Sequence, residues 1–140
     1  MVLVGRDEEV GEWARVRLKD IQTFGPLAAM GFIIDDELKG AAVFHNFRWP
    51  NIELSLVIED PRVMTRTNIN VTFGYPFLFQ NVNRVTSLTT KSNRRVRKLM
   101  EGIGFKLEGK MRHGMPNKES IMIYGYTKDD YMKSKWRKYG

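Results

Sequence analysis

The sequence predicts a mixed α/β fold in which helices flank a central, partly antiparallel sheet. Helical periodicity separates some of the predicted strands, short turns separate others, and the composition suits one hydrophobic core. The chain has 140 residues, of which 42% are hydrophobic, so we expect a single domain over residues 1–140. In order, the elements are a strand, a helix, a three-strand meander, a helix, a strand, a helix and two strands.

A short strand and a helix are predicted at the start of the chain. Residues 2–4 are aliphatic and stop at Gly5, as a short strand does. Acidic residues then open a segment over residues 7–18. Its apolar side chains recur at helical spacing and therefore share one face: Val10, Trp13, Ala14 and Leu18.

A meander of three strands is predicted next. Residues 28–34 and 40–47 are apolar runs, and the polar tip Asp35-Asp36-Glu37 between them favours a hairpin. Residues 52–58 alternate between apolar and other side chains, which predicts a third strand with one buried face.

The second half of the chain alternates helices with strands. A helix is expected over residues 65–81, because Ile69, Phe73 and Phe77 lie four residues apart, and Pro76 should kink it. Beyond it the pattern predicts three strands and a basic helix, followed by helical or frayed residues: strands over residues 85–90, 105–111 and 120–126, and the helix over residues 93–102.

The charge of the chain is basic and unevenly distributed. There are 23 Lys and Arg residues against 16 Asp and Glu, giving a formal net charge of +7. Residues 71–140 hold 15 of the basic and five of the acidic residues. This asymmetry predicts an anionic partner, which can be nucleic acid, a membrane surface or a small molecule that carries phosphate.

Several classes of site and location are disfavoured by composition. The chain has no cysteine, which excludes disulfides, thiolate zinc sites and a cysteine nucleophile, and no metal site is predicted. The N-terminal apolar run is too short for a signal peptide, and no stretch approaches the roughly 18 apolar residues of a membrane span. We therefore expect a cytoplasmic protein.

One segment resembles a known signature. Residues 93–112 begin with Asn93 and contain Gly104-Phe105, Glu108-Gly109 and Arg112. This run resembles the C-terminal signature of GNAT acetyltransferases, and is closest to the branch that acts on ribosomal-protein N-termini. The run from residue 61 through Tyr75-Pro76-Phe77 to residue 85 is similar to small GNAT proteins encoded by bacteriophages and proteobacteria.

The resemblance implies a fold and an activity. Its fold is a mixed sheet of six to seven strands, splayed in the middle and flanked by three to four helices. Here, one helix follows the first strand where most members have two. Its activity is transfer of an acetyl group from acetyl-CoA to an amine, by direct attack in a ternary complex. The acceptor, a small-molecule or protein amine, is not specified, and a monomer or a homodimer is expected.

The resemblance also implies where acetyl-CoA binds. In the family the pantetheine arm lies between two diverging strands, and the pyrophosphate rests on the start of the next helix, where main-chain N–H groups lack intrahelical partners. The family loop is rich in glycine, whereas residues 62–68 contain none. Without these glycines there are three alternatives: acetyl-CoA binds more weakly, the loop follows a different path, or arginine side chains and threonine hydroxyls replace the missing main-chain contacts to phosphate. The residues implied are Leu56, Val57, Ile58, Arg62, Met64, Thr65, Arg66, Thr67 and Asn68.

The basic helix is implied as a second contact for the donor. Asn93 is placed to cap this helix, and in relatives it also contacts the CoA arm. Arg97, within a run that includes Lys91, Arg94, Arg95 and Lys98, corresponds to residues that meet the 3′-phosphate. The alternative for the run is a solvated helix face.

Four residues are candidates for catalysis. Glu53 lies where members often keep a general base, and half-burial would raise its pKa as that role requires. Ser55 shares its face and can orient a water or the acceptor, while His45 lies near the end of the neighbouring strand. Members often place a tyrosine acid where this chain has Met100, so Tyr124, with Tyr126, is the substitute. Each has a plainer alternative, as an exposed carboxylate, a strand serine, a structural histidine or a packed aromatic residue.

Two other functions fit the same fold. One is a non-catalytic module that binds nucleic acid or a host protein, which the basic second half and Trp136 in the tail over residues 133–139 favour. The other binds CoA but has lost turnover. The acceptor site is expected among loops around residues 21–27, 48–51 and 113–118, and the acidic first half slightly favours a cationic acceptor.

Overall fold

A mixed seven-stranded sheet forms the centre of the molecule. The computed structural model describes residues 1–18 and 23–138. The strands lie side by side in the order β1-β2-β3-β4-β5-β7-β6, and neighbouring pairs are antiparallel except β4 and β5, which are parallel. Their bounds are β1 Val2–Leu3, β2 Leu27–Ile34, β3 Glu37–Arg48, β4 Asn51–Ile58, β5 Arg84–Thr90, β6 Lys106–Met111 and β7 Ile121–Thr127.

Helices cover the two faces of the sheet unequally. In the part of the chain that is described, the α-helices are α1 Asp7–Arg17, α2 Arg66–Gly74, α3 Arg94–Ile103 and α4 Lys128–Met132. None of these helices is long and apolar enough to cross a membrane. With seven strands and helices on both faces, the predicted mixed α/β fold is confirmed. The start of the expected acceptor loop, residues 21–22, lies outside the described residues.

The helix predicted over residues 65–81 takes a different form around its proline. The Thr65 hydroxyl caps α2 by accepting a hydrogen bond from the Asn68 main-chain nitrogen, 3.1 Å away. After Gly74 the chain continues as a π-helical segment, Tyr75–Phe79. Pro76 has no N–H to donate, which disfavours a regular α-helical turn there. The predicted kink is therefore a change of helix type, and the helix ends before residue 81.

Alternation along the strands divides the core into two layers. On β4, Leu54 and Leu56 are buried in the main cluster, beneath α2 and α3, while Glu53 and Ser55, which alternate with them, face the other side. A smaller cluster lies on that other side, where α1 packs mainly against β2 and β3. Because α1 stops short of covering β4 and β5, Glu53 and Ser55 face open space.

The two parallel strands separate partway along their length. β4 and β5 pair at three positions, Asn51 with Arg84, Ile52 with Val85, and Glu53 with Thr86. Both strands continue beyond the last of these pairs, to Ile58 and Thr90 respectively. The splay implied by the resemblance is thus present at the centre of the sheet.

Candidate active site

The gap between β4 and β5 opens just after a side-chain link. The hydroxyl of Ser87 donates a hydrogen bond to the main-chain oxygen of Leu54, 2.8 Å away. In a strand, the N–H and C=O of one residue point to the same side, and every second residue repeats that direction. The main-chain groups of Leu56 therefore also point towards β5, at a level where β5 no longer pairs with β4. They offer a donor and an acceptor to a ligand in the gap.

A cavity of about 260 Å³ fills this gap, and we call it the notch cavity. It runs from the end of α1 across the diverging strands to the start of α3. Strand residues and helix ends line it: Arg17, Leu18, Ser55, Leu56, Ser87, Leu88, Thr89, Thr90, Asn93 and Val96. Of the residues implied for the donor, Leu56 and Asn93 are brought together here.

A second cavity of about 270 Å³ adjoins it on the α1 side of the sheet, and we call it the His45 cavity. The two cavities share Ser55, Leu88, Thr89 and Thr90. The remaining lining residues come from the segment before β2, from β3 and β4, from the loop between β6 and β7, and from the start of β7: Thr23, Phe24, His45, Asn46, Glu53, Leu54, Met115 and Ile121. Three of the four predicted catalytic residues, Glu53, Ser55 and His45, therefore line one space.

His45 is held by neighbours on two sides. Its Nε2 lies 2.9 Å from the Ser55 hydroxyl oxygen, and its ring centroid is 5.0 Å from that of Phe24. Burial lowers the pKa of His45 below its usual value, although the nearby Glu53 carboxylate acts in the opposite direction. The imidazole is therefore neutral at neutral pH and can accept a proton.

Glu53 is paired with His45 across β3 and β4. Its Oε2 accepts a hydrogen bond from the Asn46 side-chain nitrogen at 3.1 Å. Asn46 adopts a positive φ of 49°, at the irregularity between His45 and Arg48 that turns the end of β3. This kink directs the amide of Asn46 to the carboxylate of Glu53 and fixes its position at the cavity wall.

The glycine-free turn before α2 is ordered by its own side chains. The Asp60 carboxylate accepts hydrogen bonds from the Arg62 main-chain nitrogen at 2.9 Å and from its guanidinium at 2.7 Å. The guanidinium bond is the main cause that lowers the pKa of Asp60 to about 2. Asp35 lies 3.7 Å from the same guanidinium. The positive charge predicted to meet a phosphate at Arg62 is therefore largely offset by two carboxylates.

α3 begins as predicted, but one of its implied contacts points elsewhere. The Asn93 side chain caps the helix through the Val96 main-chain nitrogen, at 3.4 Å. Arg97 instead donates to the Tyr124 hydroxyl at 3.0 Å and to the Lys91 main-chain oxygen at 2.9 Å. Arg97 is not among the residues that line the notch cavity.

Tyr124 lies under α3 and lines neither cavity. Its hydroxyl donates to the Glu101 carboxylate at 2.8 Å as well as accepting from Arg97. Burial is the first cause that raises the pKa of Tyr124, and burial raises that of Tyr126 to about 12. Both phenols therefore hold their protons more tightly than usual, and neither lines either cavity.

Trp136, which favoured the nucleic-acid alternative in the sequence, is packed into the fold. It is 7% exposed, and its indole nitrogen donates to the Ile103 main-chain oxygen at 2.7 Å. A ring packed in this way is not available for stacking on a base, which removes one support for the nucleic-acid alternative.

Several lining residues escaped the sequence interpretation. Arg17, at the end of α1, bonds to Glu59 at 2.9 Å and lies over the Trp13 ring, while its stem lines the notch cavity. Leu88 and Met115 are apolar residues of a strand and a loop, with no periodic signal to mark them. They differ from other apolar residues only in lining a cavity, and the sequence does not show which residues line one.

Comparison with known proteins gives likeness in structure alone. No family model and no curated protein matches the sequence. Among solved structures, the fold is similar to a chimera of the spermidine N-acetyltransferase SpeG from Vibrio cholerae and hSSAT, with a TM-score of 0.77 and 12% identity over 95% of this chain and 98% of that one.

Two further structures give the same result. The ribosomal-protein-S5-alanine acetyltransferase from Vibrio fischeri has a TM-score of 0.64 and 17% identity, over 86% of this chain and 72% of that one. SpeG from Vibrio cholerae in complex with manganese ions has a TM-score of 0.63 and 18% identity, over 89% of this chain and 76% of that one. All three are acetyltransferases by name. The chain has the GNAT fold, as its signature over residues 93–112 predicted.

Proposed function

We propose that this protein transfers an acetyl group from acetyl-CoA to an amine, with both substrates bound at once. The observation that supports this most strongly is the meeting of two cavities at Ser55 and Leu88, where β4 and β5 separate. The two cavities lie on different sides of the residues that they share. A thioester in one and an amine in the other can therefore react directly, with no covalent enzyme intermediate.

The residues present fit acetyl-CoA as the substrate of the notch cavity. The pantetheine amides need a donor and an acceptor, which the main chain of Leu56 supplies. The first turn of α2 offers N–H groups and a positive dipole end to the pyrophosphate. Asn93 reaches the cavity from the start of α3. Arg62 is paired with Asp60 and so restrains the turn before α2. Glycine has no side chain to make such a pair, which fits the absence of glycine from this loop.

The residues of the His45 cavity divide two tasks between them. Glu53 carries the negative charge that holds a protonated amine at the wall. His45 is neutral and bonded to Ser55, so it accepts the proton that the nitrogen must lose, directly or through the Ser55 hydroxyl. We assign the proton to His45 rather than to Glu53 because the imidazole is bonded to Ser55, at the wall that both cavities share, whereas the Glu53 carboxylate is bonded to Asn46.

The bonds and protons of the transfer are accounted for by the two substrates and His45. The amine nitrogen attacks the thioester carbonyl carbon, the C–N bond forms, and the C–S bond breaks as the electron pair returns to sulfur. The bound ammonium loses two protons in all. His45 takes the first before attack, which frees the nitrogen lone pair, and the second leaves the nitrogen once the C–N bond has formed and passes to the departing thiolate, directly or through a water, so that CoA is released as the thiol.

The test is the acetyl-CoA-dependent release of free thiol in the presence of amines, with the acetylated product confirmed by mass. The protein has no cysteine, so a thiol reagent reports CoA alone. Leu88→Trp places a bulky ring at the junction of the cavities, and Leu107→Trp is the matched control on β6. These leucines are 40% and 48% exposed.

We expect the junction variant to lose about tenfold or more in kcat/KM, because misplaced reactants lose most of the benefit of proximity. The control should retain the activity of the unaltered protein. Thiol release that is equal in the two tryptophan variants would contradict the proposal, as would acetyl-CoA binding without acetylation of any amine.

A further inference from the structure

The acceptor cavity carries one negative charge and several apolar surfaces. Glu53 is the one acidic side chain among the described residues that line the His45 cavity. Four apolar side chains share the wall with it: Phe24, Leu88, Met115 and Ile121. Such a wall neutralises one ammonium group and favours burial of an uncharged carbon body beside it.

Two lysines lie next to residues that line the same cavity. Lys91 directly follows the lining residue Thr90, and its main-chain nitrogen donates to the Ser120 oxygen, 3.0 Å away. Lys118 lies in the loop that supplies Met115, to whose main-chain oxygen its nitrogen donates at 2.8 Å. Both lysines are exposed. The neighbouring carboxylate of Glu119 accepts a hydrogen bond from the Ser92 main-chain nitrogen at 2.8 Å and does not line the cavity. A second ammonium group inside the cavity would therefore find no second carboxylate among the described lining residues.

The cavity is small enough for these features to act on one molecule. At about 270 Å³ it accommodates an amine with a short carbon body, but not several charged groups that each keep a hydration shell. The body of the acceptor then contacts Leu88 and Met115, while its nitrogen lies between Glu53 and His45.

From this arrangement we infer that the acceptor is an amine with a single positive charge and an apolar body, rather than a polyamine. The inference rests on the proposed acetyl transfer and specifies its substrate class. It sets this chain apart from the spermidine acetyltransferases whose fold it shares, because their named substrate carries several charges.

A matched pair of acceptors tests the inference. Hexylamine and 1,6-diaminohexane have the same carbon chain and differ by one terminal amine. We expect kcat/KM for hexylamine to exceed that for the diamine by about tenfold or more, since the second ammonium must be desolvated without a partner. A diamine that reacts as well as hexylamine, or better, would overturn the inference and leave acetyl transfer intact.

Two variants examine the cause of the preference. Met115→Glu adds a carboxylate to the cavity wall and should reduce the preference for hexylamine by about fivefold or more. Met132→Glu, at an exposed methionine of α4, adds the same charge elsewhere and should leave the preference unchanged. An equal change in the two variants would mean that overall charge, not the cavity, sets the preference.

Binding of the two amines to the unaltered protein, measured by titration calorimetry, separates the inference from the proposed function. If neither amine is acetylated, the transferase proposal fails, and tighter binding of hexylamine still supports the described chemistry of the cavity. Equal binding, or tighter binding of the diamine, overturns the inference whatever the catalytic result.

Discussion

Nε2 of His45 and the hydroxyl oxygen of Ser55 lie 2.9 Å apart across two neighbouring strands, at the wall that the two cavities have in common. β3 brings the histidine to this point, and its irregularity after His45 lets Asn46 bond to Glu53 as well. A base, a hydroxyl and a carboxylate thus converge where the donor and acceptor cavities meet. The first two predictions concern this group.

The roles of His45 and Glu53 should separate in kinetics. His45→Gln should lower kcat by about 100-fold, the usual contribution of a general base. Glu53→Gln should mainly raise KM for the amine, by about tenfold, because it removes the charge that holds the ammonium group. Both variants should bind acetyl-CoA as tightly as the unaltered protein in calorimetry. A loss of CoA affinity as large as the loss of rate would show that these residues support the fold instead.

His45 should also make stability depend on pH. Burial lowers its folded-state pKa below the unfolded value of about 6.5. Its contribution is therefore complete above about pH 6.5 and is lost as the pH falls towards the folded-state pKa, since the unfolded chain binds the proton more readily. We expect urea midpoints of the unaltered protein to fall over this interval and those of His45→Gln to fall less. Identical pH dependence in the two proteins would contradict burial of a neutral imidazole.

Thr65 should contribute to stability as a helix cap. Its hydroxyl accepts from the Asn68 main-chain nitrogen at the start of α2. Thr65→Ala should lower the free energy of unfolding by about 1 kcal/mol, whereas Thr65→Ser keeps the oxygen and should cost only a fraction of that. Chemical denaturation compares the two variants. If serine and alanine are equally destabilising, the methyl group rather than the cap is what matters.

Tyr124 should be structural. Its hydroxyl bridges Arg97 and Glu101, so Tyr124→Phe should lower the free energy of unfolding by about 2 kcal/mol, as expected for hydrogen bonds to charged groups. The same variant should change kcat by less than about twofold, because the hydroxyl lies under α3. Glu101→Gln keeps an acceptor and should be less destabilising. A large fall in kcat with unchanged stability would restore Tyr124 as the acid.

Periodicity predicted the strands and helices well because burial in a layered sheet imposes it. The alternation at Glu53 and Ser55 placed both on one face, and the signature after Asn93 located the start of α3. Side-chain direction within a helix is a different matter. Arg97 was implied as a phosphate contact, yet Tyr124, 27 residues away in sequence, draws its guanidinium inward. Pairing of this kind is set by tertiary packing, which one sequence does not reveal.

The roles of residues in loops and in the C-terminal tail were the least predictable, because they too depend on tertiary packing. Met115 and Phe24 line the His45 cavity from segments without regular structure, and nothing in their local sequence distinguishes them from other apolar residues. The burial of Trp136 was not predicted, because its bond to Ile103 joins the tail to the end of α3. Composition near a terminus did not indicate that contact.

The donor site between β4 and β5 is tested most directly by mapping main-chain amide chemical shifts as acetyl-CoA is titrated into the ¹⁵N-labelled protein. We expect saturable amide chemical-shift changes on both sides of the gap and at the nearby helix starts: Leu56 to Ile58, Ser87 to Thr90, Thr65 to Asn68 and Asn93 to Val96. Amides of β6 should move little. Shifts absent at saturating ligand, or confined to residues away from β4 and β5, would contradict a donor site between the separated strands.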